Sequence, residues 1–249
     1  MVSTSRCEVL KPGHTRVHCV SPPGAGLNYL WSVTVAGQAA TVLSPSAVTT
    51  SYAPPTVISA VVSGPGVLPS QPGSVPTGGG ATVTLTGSNF GAEPGAVTVT
   101  WDGRVVPGVV LVTSHSVLAF PSPAGEGPPV SVSVTVAGQT VATLMDSPSV
   151  PLRFAFGRPV ITSLSLYRGQ NEATMDCSRT SPDGRPLGSG GATSARLVLE
   201  GANFGVNGSS ARVMIHGTEC AVVTAASTSS RLLCDTGVCS GEKQSSIVQ

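Results

Sequence analysis

The feature of this 249-residue sequence that most constrains its fold is internal repetition. The Ser-Pro-x-Gly-x-Gly segment at 21–26 and the Ser-Val-Thr-Val-Ala-Gly-Gln segment at 32–38 both recur 101 positions later, at 122–127 and 133–139. No gap is needed to align the two copies. A match of this kind indicates repeated structural units, each too small to be the whole fold.

A second register links the middle of the chain to its end. Gly-Ser-Asn-Phe-Gly at 87–91 recurs 114 positions later as Gly-Ala-Asn-Phe-Gly at 201–205. The short segments before each copy also correspond, since Tyr-Ala-Pro-Pro at 52–55 parallels Phe-Gly-Arg-Pro at 156–159. We interpret these two segments as the joints between successive repeats.

These joints divide the chain into three parts. We expect the C-terminal half of a repeat at 1–54, a complete repeat at 55–157 and a repeat that lacks its last strands at 158–249. A chain divided in this way is expected to be a fragment of a longer repeat protein.

The complete repeat has the pattern of β-strands. Apolar and polar residues alternate with period two, and no helical period is present. Glycine and proline are abundant (30 and 21 residues) while charged residues make up 10% of the chain, which argues against a helical bundle. The predicted core-facing positions are Ala81, Val83, Leu85, Val97, Val99, Trp101, Val130, Val132, Val134 and Val136. Asp102-Gly103 is a hairpin signal. We predict an all-β fold of tandem immunoglobulin-like sandwiches.

These segments resemble the IPT/TIG family, the immunoglobulin-like modules of plexins, of the Met and Ron receptors and of fibrocystin-type surface proteins. The resemblance rests on the Pro-x-Ile-type openings at 55–59 and 159–163, the glycines before the second strand at 78–80 and 190–191, and the two Asn-Phe-Gly turns. It covers nearly the whole chain except residues 164–189. The resemblance implies a β-sandwich fold and a role as a spacer or binding module. Asn89 and Asn203 are expected to be structural, since Asn and Gly accept the left-handed backbone of the turn and Phe fills the end of the sandwich.

The six cysteines are interpreted from the same register. Cys220 and Cys234 align with Val106 and Phe120 of the complete repeat, so both cysteines are replaced by apolar residues together. This pattern predicts two core positions in contact, bridged by a disulfide in the third repeat, with a reduced buried pair as the alternative. Cys7 and Cys19 are expected to form the same bridge in the half-repeat. Cys177 and Cys239 could pair with each other or with cysteines outside this sequence.

The sequence offers no catalytic constellation. No phosphate loop, nucleophile elbow or His-Glu-x-x-His helix is present. His14 and His18 stand four residues apart, about 13 Å on a strand and too far for one metal ion, and His115 and His216 are solitary; all four are expected on the solvated surface. Acidic residues stand singly in loops, at Asp102, Glu126, Asp146, Asp183 and Asp235. We therefore expect no enzyme activity, no cofactor and no metal, although calcium at a joint stays open.

Two loop features could carry modification or binding. Asn207-Gly208-Ser209 is the one acceptor triplet for N-glycosylation and matters only if the chain is secreted. The loop 164–189 concentrates charge and suits either a binding surface or a solvated insertion. Its charged residues are Arg168, Glu172, Asp176, Arg179, Asp183 and Arg185.

The leading functional hypothesis is a non-enzymatic module of an extracellular or cell-surface protein with a protein or glycan ligand. No run of 18 apolar residues and no signal peptide are found in the sequence, so a membrane is expected only through other parts of a parent protein. An intracellular Rel-like DNA-binding module is one alternative, but 13 dispersed Lys and Arg and a net charge of +1 do not predict nucleic acid binding. The other alternative is an accessory module of a polysaccharide-acting enzyme, which would need exposed aromatics, whereas Trp31 and Trp101 are both predicted to face the core.

Overall fold

The computed structural model describes residues 6–10, 13, 15–41, 49–144, 147–166, 196–215 and 217–235. All regular structure in these ranges is β, apart from two 3-10 turns at Pro94–Ala96 and Thr224–Ala226. In chain order the first eleven strands are β1 (Arg6–Val9), β2 (Val17–Val20), β3 (Tyr29–Leu30), β4 (Thr34–Val35), β5 (Gln38–Ala39), β6 (Thr49–Thr50), β7 (Thr56–Ser63), β8 (Thr82–Ser88), β9 (Val97–Trp101), β10 (Arg104–Val105) and β11 (Val110–Thr113). They are followed by β12 (Val117–Pro121), β13 (Val130–Val136), β14 (Gln139–Val141), β15 (Thr143–Leu144), β16 (Ser147–Pro151), β17 (Arg153–Phe154), β18 (Val160–Leu166), β19 (Arg196–Ala202), β20 (Val213–Ile215), β21 (Thr218–Val222) and β22 (Arg231–Asp235).

The chain separates into two compact units that do not coincide with the repeats. The first unit comprises residues 1–61, 82–121 and 130–153, and the second comprises 62–81, 122–129 and 154–249.

The first compact unit is built around two sheets. One has the strand order β11-β12-β8-β7-β15-β16, and the other has the order β10-β9-β13-β14 with β17 also paired to β13. The pairs β11-β12, β12-β8, β9-β13 and β13-β14 are antiparallel, whereas β7 and β15 run parallel. The rings of Trp101 and Phe120, one from each sheet, meet edge to face with centroids 6.4 Å apart. The unit is therefore the predicted immunoglobulin-like sandwich.

The period-two pattern predicts the core of this sandwich correctly. The side chains of Val83, Leu85, Val99, Val134 and Val136 are completely buried, and the intervening Thr82, Thr86 and Thr98 are exposed. Asp102-Gly103 forms the predicted hairpin turn, with φ of 49° and 75° at its two residues.

The side chains of the predicted half-repeat at the start of the chain are more exposed than the sequence suggests. Its described strands form the two-stranded sheets β1-β2, β3-β6 and β4-β5. The prediction that Trp31 faces a core is wrong: its side chain is half-buried, and its indole Nε1 donates a hydrogen bond to Thr50 Oγ1 at 3.0 Å. The physical reason is that no second sheet lies over these short strands within the described part of the half-repeat.

The second compact unit contains the described part of the third repeat. Its strands have the order β18-β19-β22-β21-β20. A core cluster fills one face of this sheet, consisting of Leu197, Leu199, Phe204, Val213, Cys220, Leu232 and Cys234. β18 continues to Leu166, so the first residues of the predicted loop 164–189 belong to a strand. The rest of that loop, including its six charged residues, lies outside the described residues.

Candidate functional site at the repeat joints

The first joint, residues 52–55, is held by an aromatic ring against a glycine. The Tyr52 hydroxyl donates to the Pro22 carbonyl at 2.8 Å, and its backbone amide donates to the Gly26 carbonyl at 3.0 Å. A Cβ added at Gly24 would lie 2.5 Å from Tyr52 Cζ. Position 24 therefore has to be glycine for the ring to take this place.

The turn between β13 and β14 also reaches the first joint. Gln139 is 8% exposed, and its side chain makes two hydrogen bonds there. Its Oε1 accepts from the Gly26 amide at 3.3 Å, and its Nε2 donates to the Tyr52 carbonyl at 3.0 Å. The buried side-chain amide of Gln139 thus bonds the complete repeat to the predicted half-repeat before it.

The Asn-Phe-Gly turn of the complete repeat closes the same joint. Asn89 has a left-handed backbone with φ of 60°, and its Nδ2 donates to the Pro54 carbonyl at 2.9 Å. Phe90 is completely buried beneath the turn. The structural role expected for Asn89 is therefore specific: its side chain binds the Pro54 carbonyl in the joint.

The second joint, residues 156–159, repeats this arrangement with corresponding residues. A Cβ at Gly125 would lie 2.5 Å from Phe156 Cζ, as at Gly24 and Tyr52. Asn203 has φ of 62°, is 8% exposed and donates from Nδ2 to the Arg158 carbonyl at 3.2 Å. Its Oδ1 accepts from the Thr77 amide at 3.2 Å. Both oxygen and nitrogen of this buried amide are therefore satisfied by the joint.

Further polar contacts are specific to the second joint. Gln71 donates from Nε2 to the Arg158 carbonyl at 3.1 Å and accepts from the Arg158 amide at 2.6 Å. Glu126 Oε2 accepts from the Val206 amide at 3.0 Å, just after the Asn-Phe-Gly turn. Val75 pairs its backbone with the strand that leads into the joint, through Ala155 and Gly157.

A cavity of about 740 Å³ lies beside the second joint, within the second compact unit. Its wall combines apolar residues with three charged side chains, Glu126, Arg158 and Arg212. Arg212 is bonded to Glu219 by two contacts of 3.2 Å, and this carboxylate raises the pKa of Arg212 above its ordinary value. Thr77 Oγ1 is buried at the wall with no hydrogen-bond partner among the described residues. The cavity has the size of a small-ligand site.

The two disulfides predicted from the register are both present in the structure. Cys220 and Cys234 are buried, with Cα atoms 5.6 Å apart, and their counterparts Val106 and Phe120 are buried too. Cys7 is bonded to Cys19 as well.

The environment of the Cys7–Cys19 bond differs from the prediction. The two cysteines lie opposite each other on the β1-β2 ribbon, where Cys7 is exposed and Cys19 half-buried. A two-stranded ribbon has no facing sheet to bury them. Cys177 and Cys239 lie outside the described residues, so their pairing stays a prediction.

The remaining predicted positions are dispersed over the described surface. His18 is exposed, with Nδ1 3.7 Å from Glu8 Oε1. His115 lies in a turn as predicted but is half-buried, because its amide donates to the Gly91 carbonyl and its carbonyl accepts from the Phe90 amide. His14 and His216 lie outside the described residues. No three His, Cys, Asp or Glu side chains of the described ranges lie close enough together to share a metal ion.

Asn207 is exposed in the loop after the second Asn-Phe-Gly turn. Its Oδ1 accepts from the Ser209 amide at 3.0 Å. The position is accessible, and its glycosylation stays a prediction.

Sequence reasoning missed several residues that build the joints. The repeated segments contain both aromatic residues, Tyr52 and Phe156, and both glycines, Gly24 and Gly125. Alignment of the repeats shows that these positions correspond, but it does not show that each ring contacts its glycine. Gln71 carried no signal, because it bonds a residue far along the chain and belongs to no repeated segment.

Comparison with known proteins decides the family of the complete repeat. Residues 67–149 match the family model described as the IPT/TIG domain. The chain contains an IPT/TIG domain. The match lies inside the predicted complete repeat and includes its Asn-Phe-Gly turn, so the resemblance inferred from the sequence is confirmed there.

The other comparisons add little. No curated protein matches the chain. Among solved structures, SGBP-B from a complex xyloglucan utilization locus in Bacteroides uniformis aligns over 73% of this chain and 42% of that chain, with 14% sequence identity and a TM-score of 0.29. The alignment thus spans less than half of that protein. Within the described residues, no helix has the length and apolar character needed to cross a membrane.

Proposed function

We propose that this chain is a non-enzymatic part of an extracellular or cell-surface protein, in which tandem IPT/TIG-type repeats act as a spacer and as an adhesion or ligand-binding module. The observation that carries the proposal is the correspondence of the two joints. In each joint an aromatic ring covers a glycine and an Asn side chain holds a joint carbonyl. A spacer needs this, because a joint fixed by side chains transmits position along the array.

The second joint contains buried polar contacts that stabilise it. A satisfied hydrogen bond contributes about 0.5–1.5 kcal/mol to stability, and leaving a buried partner unsatisfied costs about 1–3 kcal/mol. Asn203 makes two such bonds while almost completely buried. Opening the second joint would therefore leave polar groups of Asn203, Thr77 and Arg158 without their partners.

The partner is proposed to be a protein or a glycan, with no role for nucleic acid. One observation favours a glycan: Trp31 is only half-buried, whereas the sequence predicts it in a core. Sugar-binding surfaces use accessible aromatic faces. Binding of the chain to an immobilised glycan array, abolished by Trp31→Ala, would support a glycan partner, and unchanged binding by that variant would remove Trp31 from the site.

The proposed location rests on the two disulfides, since such bonds persist in oxidising compartments. We expect protein secreted from a eukaryotic host to lose about six hydrogens on oxidation of its six cysteines. Peptide mapping under non-reducing conditions should recover Cys7 joined to Cys19 and Cys220 joined to Cys234. Six free thiols on a folded chain would contradict the extracellular proposal, and Cys7 joined to Cys220 would contradict the repeat assignment.

A further inference from the structure

Asn207 is followed by a glycine in the exposed loop between β19 and β20. Asn207 itself is exposed, and Gly208 has a left-handed backbone with φ of 72°. The repeat register places Glu93 of the complete repeat at the same position, 114 residues earlier, and Glu93 is exposed as well. This position therefore lies on the surface even in the repeat whose two sheets are both described.

The side-chain carbonyl of Asn207 accepts a hydrogen bond from the main chain. The Ser209 amide donates to Asn207 Oδ1 at 3.0 Å. A donor at this oxygen draws electron density from Cγ, and it stabilises the negative charge that develops on the oxygen when a nucleophile adds to Cγ. Cγ of Asn207 is therefore activated towards addition.

The two nitrogens on either side of this carbon are unbonded in the described structure. Neither the Gly208 amide nor Asn207 Nδ2 makes a hydrogen bond within the described residues. The Gly208 nitrogen is the first main-chain amide after Asn207, so its addition to Cγ closes a five-membered ring. Because Gly208 has no side chain, nothing attached to its Cα hinders that approach.

We propose that Asn207 is a site of spontaneous deamidation through a succinimide. The Gly208 nitrogen loses its proton and bonds to Cγ, the Cγ–Nδ2 bond breaks, and Nδ2 takes up a proton and leaves as ammonia. Water then opens the ring at either of its two carbonyls, which gives aspartate or isoaspartate at this position. The reaction consumes one water, releases one ammonia and involves no oxidation or reduction.

The two Asn-Phe-Gly turns provide a contrast within the same chain. At Asn89 and Asn203 the Nδ2 atom donates to a joint carbonyl, at 2.9 and 3.2 Å. The amides that follow, those of Phe90 and Phe204, donate to main-chain carbonyls at 3.2 and 2.9 Å. The leaving nitrogen and the attacking nitrogen are thus both bonded in these turns, so we expect Asn89 and Asn203 to be stable.

Gly208 cannot be replaced without disturbing the third repeat. It is buried, and a Cβ added there would lie 2.7 Å from Leu232 Cδ2 and 3.0 Å from Ser227 Cβ. Packing therefore requires the glycine that the reaction also uses. A test of the reaction has to change the neighbours of Gly208 and not this residue.

Deamidation would change the charge of the second joint. Glu126 Oε2 binds the Val206 amide, next to Asn207, whereas Ala25 and Glu93 occupy the positions that correspond to Glu126 and Asn207 at the first joint. Each joint thus has one carboxylate at this pair of positions. The reaction would give the second joint two, and neighbouring like charges repel. This inference goes beyond the proposed function and does not depend on it.

Incubation of the folded full chain in mildly alkaline buffer tests the proposal. Production in a bacterial host that lacks N-glycosylation keeps Nδ2 unmodified. Peptide mapping by mass spectrometry should find Asn207 converted with a gain of about 1 Da, as both aspartate and isoaspartate, while Asn89 and Asn203 stay unchanged. A synthetic peptide of residues 203–212 gives the rate without the fold, and the folded chain should react at least as fast. A folded chain that reacts more slowly than the peptide, or not at all, would overturn the proposal, because the loop would then protect Asn207.

Two substitutions at one position test the role of the Ser209 amide. Ser209→Pro removes the N–H donor and should slow the reaction of the folded chain at least about tenfold, since one donor to a developing oxyanion contributes about 10²–10³ in rate in enzyme sites. The matched control Ser209→Ala keeps the N–H and should react within about twofold of the wild type. In the peptide, which has no fixed bond, the two variants should react alike. Equal rates of the two folded variants, or the same difference between them in the peptide, would overturn the proposal. The comparison of chain and peptide stands independently if Ser209→Pro fails to fold.

Discussion

At the scale of single residues, two features build the joints. Glycines leave space for aromatic rings, and Asn side-chain amides donate hydrogen bonds to backbone carbonyls. Gly24 and Gly125 make room for the Tyr52 and Phe156 rings. Asn89 combines a left-handed backbone with a side chain that reaches the Pro54 carbonyl. An Asn at this position serves the turn and the joint together.

Gly125→Ala should destabilise the chain by about 1–3 kcal/mol, since its Cβ would force the Phe156 ring to move. Chemical denaturation followed by fluorescence measures the effect. Gly95→Ala is the matched control, because a Cβ there meets nothing within 4 Å and its stability should stay within about 0.5 kcal/mol of the wild type. Equal stability of the two variants would show that Phe156 does not need the space above Gly125.

The predictability of these residues from sequence depends on the range of their contacts. The Asn-Phe-Gly turn is local, so its left-handed Asn and buried Phe follow from residue type. The bonds from Asn203 to Thr77 and from Gln71 to Arg158 join residues far apart in sequence, and only the folded chain brings them together.

At the scale of strands, period-two alternation is sufficient to assign the buried face. It identifies the valines of β9 and β13 correctly apart from Val130, which is only half-buried at the start of β13. One residue of slip would expose the whole set. It fails at Trp31, since alternation shows which way a side chain points and not whether a second sheet covers it.

Strand pairing in the third repeat includes a charged pair that makes its stability depend on pH. Arg196 and Asp235 lie opposite each other on β19 and β22, and Arg196 donates two hydrogen bonds, of 2.6 and 2.8 Å, to the carboxylate. These bonds hold the pKa of Asp235 below its ordinary value, although partial burial opposes the shift. The stabilisation is therefore present above the unfolded pKa of about 3.9 and is lost as the pH falls through the lower folded pKa.

We expect Asp235→Asn to lower the free energy of unfolding by about 1 kcal/mol at pH 7. The deficit should become smaller as the pH is lowered to 2, because protonation of the wild-type carboxyl weakens its bonds to Arg196. Urea titrations at the two pH values measure the difference. Glu219→Gln removes an exposed partner of Arg212 and serves as the control, with a smaller effect at both values. A deficit of Asp235→Asn that persists unchanged at pH 2 would mean that packing and not charge is responsible.

At the scale of the whole molecule, the same arrangement of residues builds both joints. The IPT/TIG domain at 67–149 is flanked by a joint on each side, each with an Asn at the same place in its turn. Residues 32–38 and 133–139 have the same sequence, yet Val33 and Val35 are exposed whereas Val134 and Val136 are buried. Identical sequence therefore does not by itself determine burial.

The claim that side chains fix the joints is tested most directly by hydrogen exchange of the Thr77 backbone amide, which donates to Asn203 Oδ1 in the second joint. The account predicts that this amide is protected from exchange in the wild type. Asn203→Gly accepts the left-handed backbone but removes the side-chain amide, so it should remove this protection. Asn89→Gly, which makes the same change at the first joint, should leave the Thr77 amide protected. An unprotected Thr77 amide in the wild type, or equal protection in Asn203→Gly, would contradict the account.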